Sequence, residues 1–110
     1  MTGYDIYKQA CTLIECEAQN TESAKATALT CLNNIISDLG VCKTVETLET
    51  KVETTGTNTF IIAFGVAMLL AQIRLDTLRA GWMAEVYNQK RAQVKSEIKH
   101  RGESFPSIIA

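Results

Sequence analysis

Twelve consecutive residues, Phe60 to Ala71, carry no polar side chain. A run of this kind has to be buried on nearly every side. It is too short to span a bilayer, which takes roughly 20 apolar residues, and long for a strand, which usually has about 3–10. Ala63, Ala67, Met68, Leu69, Leu70 and Ala71 favour helix. The run therefore predicts a central helix over about residues 58–74 in an all-α domain. Gly65 lies in its middle, and the close approach of another helix backbone is expected there.

The remaining pattern supplies about three more helices. Thr2 and Asp5 have the spacing of a capping box, and Ile6, Tyr7, Ala10, Leu13 and Ile14 recur at helical intervals. A first helix is predicted from about Tyr4 to Glu17. Thr21 or Ser23 caps a second, which starts near Glu22, carries Ala28, Leu29, Leu32, Ile35, Ile36 and Leu39 on one face, and stops at Gly40. Asp76 caps a fourth from Thr77. Its apolar positions are Leu78, Trp82, Met83, Val86, Tyr87, Val94 and Ile98, and Gly102 is expected to end it. One core holding Leu29, Leu32, Ile36, Met68, Leu69 and Trp82 follows.

Between the second and third helices, residues 41–58 form a long connection rich in threonine and glutamate. Val45, Leu48 and Val52 permit a short helix, and the β-branched content permits a hairpin. At the other end, Pro106 disfavours helix, so residues 103–110 form an extended arm beside a domain of residues 1–102. The arm carries Phe105, Ile108 and Ile109, which predicts that it packs on its own core or on another subunit.

Net charge is −1, which by itself selects neither nucleic acid nor membrane. Its placement is uneven. Residues 1–57 hold eight acids against four lysines, and residues 58–110 hold seven Lys/Arg against four acids. The basic end comprises Lys90, Arg91, Lys95, Lys99, His100 and Arg101. Between subunits joined side by side, that split predicts a joint that weakens with salt. No basic region followed by an apolar one opens the chain, so no secretory signal is expected. Cys11, Cys16, Cys31 and Cys42 lack metal-binding spacing and are read as free thiols of a reducing cytosol.

No phosphate loop, GxSxG, HExxH or DxDxDG pattern occurs. With His100 the lone histidine, the expectation is a protein that is not an enzyme and has no cofactor or metal. Asn88, Gln89, Arg91 and Gln93 resemble base-reading residues, with Lys90 and Lys95 for phosphates. A small helical DNA-binding or regulatory module is thus the alternative reading.

Two stretches resemble a known family. IYKQACTLIECEAQNTESAKATALTCLNNIISDLG is similar to the opening of head-to-tail adaptors, also called connectors or tail accessory factors, of tailed bacteriophages. The resemblance lies in Leu13-Ile14, the polar break from Gln19 to Ser23, and Leu29…Leu32-Asn33. Glu15-Cys16 replace the glycine and small apolar residue usual at that corner. FGVAMLLAQ…AEVYNQKRAQVK is similar to the paired C-terminal helices of these adaptors, from Phe64-Gly65-Val66-Ala67 to Tyr87-Asn88-Gln89-Lys90-Arg91. The resemblance covers about residues 4–95. It implies a structural virion protein at the neck, made in the host bacterial cytoplasm. It implies a ring of copies, commonly twelve, beneath a portal protein, with a docking surface for a tail or stopper protein. DNA would pass through the lumen without sequence-specific binding, and no membrane contact is expected. Phe105, Pro106, Ile108, Ile109, Lys90, Arg91 and Lys95 are the expected partner-binding residues.

Overall fold

A computed structural model describes residues 1–54 and 56–103, with the side chains of residues 56, 57 and 97–103 outside the description. Among the described residues the protein is all-helical, with four helices and no strand: α1 (Gly3–Leu13), α2 (Glu22–Leu39), α3 (Gly56–Ile73) and α4 (Thr77–Glu103). The α3 helix packs against each of the other three, most extensively against α4. Its apolar run buries Ile61, Ile62, Ala63, Val66, Ala67, Leu70 and Ala71, while Phe60 is exposed. It is the central helix that the run demands.

Local chemistry sets the helix starts. The Asp5 amide donates to Thr2 Oγ1 at 3.2 Å and the Thr2 amide donates to Asp5 Oδ2 at 3.0 Å, so the capping box is complete. The Ala24 amide donates to Thr21 Oγ1, which selects Thr21 over Ser23 as the α2 cap. The Arg79 amide donates to Asp76 Oδ1, capping α4.

The helix ends are less conventional. Gly40 closes α2 in the left-handed region at φ 69°, as expected. At α1 the same job falls to Glu15, at φ 55°. There the Cys16 amide donates to the Cys11 carbonyl and the Glu15 amide to that of Thr12, the paired bonds of a Schellman motif. The helix therefore stops at Leu13 rather than at Glu17. Leu75, at φ 60°, ends α3 in the same way, with the Asp76 amide bonded to Ala71 and that of Leu75 to Gln72. A side chain in this region costs on the order of 1–2 kcal/mol. The bonds that satisfy the last carbonyls offset it. At the far end α4 runs through Gly102 to Glu103, so Gly102 does not end it.

The connection is neither helix nor hairpin. Residues 41–54 run irregularly and make one isolated antiparallel bridge, Thr2 with Lys51. They are nevertheless anchored. Val45, Leu48 and Val52 are all buried, and their backbone groups find partners elsewhere. Asn33 donates from Nδ2 to the Val45 carbonyl at 2.8 Å and accepts from the Val45 amide at 2.9 Å, serving as a strand would. The Tyr4 amide donates to Leu48 O and the Val52 amide to Met1 O, both at 2.8 Å. A buried backbone has to satisfy these groups somewhere, and here α2 and the N-terminal residues do so.

In the expected core, Leu32 and Ile36 are fully buried, and Leu29, Met68 and Leu69 are partly buried and pack against the same core cluster. Trp82 departs from the expectation: it is 55% exposed. The residues α4 buries are Ala80, Tyr87 and Val94, with Met83 half-buried. At about 100° per residue, that face leaves Leu78 and Trp82 on the opposite side of the helix.

Candidate functional site

The most distinctive surface lies where α3 turns into α4. Ile73, Leu75, Leu78 and Trp82 are 58%, 84%, 60% and 55% exposed. Residues 74–76 form the whole turn, because the Schellman motif that ends α3 runs directly into the Asp76 cap of α4. Leu75 points outward from the left-handed position, and Leu78 and Trp82 lie one turn apart on the outer face of α4. Single exposed apolar residues are ordinary, but here four of the six exposed large apolar residues described fall between Ile73 and Trp82.

Ion pairs hold this corner to the body of the molecule. The Arg79 guanidinium donates to Asp76 Oδ2 at 3.0 Å and to Glu15 Oε2. It thereby ties the end of α1 to the α3–α4 turn. The Arg79 backbone amide and then its side chain hold the Asp76 carboxyl below the usual range, while Glu15 and then Asp76 raise the arginine further. All three groups reach solvent, so the link fixes geometry more than it adds stability.

A second polar cluster joins α2 to α4. Asp38 accepts from Tyr87 Oη at 2.6 Å, from Arg91 Nε at 2.6 Å and from Arg91 Nη2 at 3.1 Å. Asp38 lies in the last turn of α2, where the helix dipole disfavours an anion, and Arg91 supplies the missing cation. Arg91 first, and Tyr87 after it, lower the Asp38 pKa against the opposing effect of burial. Burial, followed by the Asp38 charge, raises that of Tyr87. A lowered carboxylate contributes stability that is fully present above its unfolded value, near 3.9, and lost as pH falls through the folded value below it. Asp38→Asn is expected to destabilise the protein at pH 7 by about 1–2 kcal/mol, since solvent screens a half-exposed pair. It should also flatten the acid limb of stability below pH 4. Denaturant titrations at pH 7 and pH 3 measure both effects, and equal losses at the two pH values would contradict the assignment.

The expected partner-binding residues separate. Lys90 and Lys95 are exposed on α4. Arg91 is bonded within the chain to Asp38. Phe105, Pro106, Ile108 and Ile109 lie outside the described residues, as does the side chain of His100. The four cysteines are free thiols, with Cys11 and Cys31 buried. Burial, with Cys16 beside it, pushes Cys11 up to about 12. Gly65 meets side chains rather than the expected helix backbone: a Cβ there would lie 2.8 Å from Ile35 and from Tyr87.

Among the described residues, no group of three or more His, Cys, Asp or Glu side chains is placed to hold a metal ion. No described helix is long and apolar enough to cross a membrane. An open groove between α2 and the connection is rimmed by Glu22, Glu46 and Glu49 over Leu29 and Leu48, and its Lys25 already pairs with Glu49 at 3.7 Å. Comparisons of the chain with protein-family models, curated proteins and solved structures gave no match.

Proposed function

We propose that this chain is a structural subunit of the head-to-tail adaptor type. Copies assemble into a ring beneath the portal of a tailed phage, and the ring offers a surface to a downstream tail or stopper protein. The observation that carries the reading is the exposed apolar corner of Ile73, Leu75, Leu78 and Trp82, which the Arg79 ion pairs tie to the end of α1. A helical bundle that exposes such a corner has a surface suited to contact with another protein. The resemblance over residues 4–95 supplies the kind of assembly. The engagement of Arg91 by Asp38 removes one of the side chains that the DNA-reading alternative needs.

Negative-stain microscopy of the concentrated protein, alone and with the portal ring of the same virion, tests the proposal. Closed rings with an axial channel that bind portal are expected. A chain that stays monomeric and unbound in the presence of portal would overturn it.

A further inference from the structure

We infer that the corner formed by Ile73, Leu75, Leu78 and Trp82 is the receptor for residues 105–109 of a second copy of this chain. The inference concerns self-association, and it rests on the adaptor reading only for the statement that the contacts close into a ring.

The corner lies at the start of α4, and the apolar residues Phe105, Ile108 and Ile109 follow its end. Trp82 and Glu103 are 21 residues apart on one helix, which at 1.5 Å per residue is about 31 Å. Ile109 is six residues beyond Glu103, and six residues span at most about 22 Å when fully extended. Even fully extended, the backbone of Ile109 stops about 9 Å short of that of Trp82, and Leu78 and Leu75 are farther still, so the segment cannot cover the corner of its own chain. The helix acts as a spacer between an apolar surface and an apolar segment.

A second copy removes the mismatch. The segment after α4 of one copy meets the corner of the next, whose own segment is left to meet a third. Such a contact is heterologous, so it repeats head to tail and closes into a ring where the rotation allows. Both sides are apolar at their centres: Leu78 and Trp82 on the receptor, Phe105, Ile108 and Ile109 on the donor. That chemistry predicts a contact that survives salt, unlike a joint made from the uneven charge of the two halves of the chain.

Trp82 is the chain's single tryptophan, so its fluorescence reports whether the corner is covered. Three proteins suffice: the full chain, a chain ended at Glu103, and the full chain with Leu78→Ser and Trp82→Ala. The two substituted residues are exposed, and circular dichroism checks that each protein remains folded. The full chain is expected to associate as concentration rises, with Trp82 emission moving to shorter wavelength and becoming shielded from acrylamide. Each altered protein alone should associate at least about 30-fold more weakly, the loss of a binding hot spot.

Mixing the two altered proteins is the decisive step, because one keeps the corner and the other keeps the segment. They should form a one-to-one pair. The only tryptophan in the mixture belongs to the shortened chain, and its emission should shift on pairing, in about 0.5 M salt as well as in dilute buffer. A mixture that stays monomeric would overturn the inference. So would full association of the chain ended at Glu103, shielding of Trp82 in the dilute monomer, or loss of the pair in salt. The assay contains no portal. A pair that forms while rings ignore portal would remove the adaptor reading and leave this contact standing.

Discussion

Leu32→Ala is expected to lower the stability of the isolated protein by about 2–5 kcal/mol, since it removes a buried branched side chain and leaves a cavity. Leu32 is 1% exposed. It sits on the α2 face with Ile35, Ile36 and Leu39, and its Cδ2 would lie 2.8 Å from a Cβ placed on Gly3. The leucine thus fills the space between α2 and the start of α1. Domains of this size commonly have about 5–15 kcal/mol in total, so the loss is a large share of the whole. Urea titration followed by circular dichroism measures the loss. A change below about 0.5 kcal/mol, the scale of an ordinary surface substitution, would mean that the α2 face is not the core.

Gly65→Val is expected to cost about 3 kcal/mol, at the upper end of the usual overpacking range. A Cβ at Gly65 would already stand 2.8 Å from Ile35 Cδ1, Ile35 Cγ2 and Tyr87 Cε1. Neither neighbour yields readily: the Cγ2 of Ile35 branches directly from its Cβ, and the Tyr87 ring is fixed at its far end by the bond to Asp38. Valine adds two more carbons with a stiff first torsion. Gly65→Ala should cost less, because alanine regains up to about 1 kcal/mol of helix propensity. The order glycine, alanine, valine in denaturant midpoint is the check. An alanine variant more stable than the parent would show that α3 can move away from α2 and α4 at little expense.

What could be read from the sequence was what nearest neighbours decide. The Thr2–Asp5 capping box, the Gly40 stop and the Asp76 cap each depend on residues within a few positions, and each was legible; the α2 cap was legible as Thr21 or Ser23. The end of α1 was not, because Glu15 occupies a conformation that usually announces itself with glycine. The Asn33–Val45 pairing was hidden for another reason: a side chain substitutes there for a strand, and no local pattern encodes it.

Trp82 misled through hydropathy. Leu78, Trp82 and Val86 recur every fourth residue and make a convincing stripe. The face that α4 buries runs instead through Ala80, Met83, Tyr87 and Val94, where alanine and tyrosine score weakly. Of the expected binding residues on α4, Lys90 and Lys95 are exposed. Arg91 was claimed by Asp38, 53 residues away, a distance that helical periodicity does not register.

The bonds between residues 1–4 and 48–52 bear on how the chain orders during synthesis. Elongation at about 5–20 residues per second separates the appearance of Tyr4 from that of Leu48 by roughly 2–10 s. In that interval α1 has its capping box but lacks both the bridge at Lys51 and the α3 helix against which it packs. An isolated helix of 11 residues is marginal in water. The start of the chain therefore waits for residues made several seconds after it, and the amides of Tyr4 and Val52 become protected from exchange together.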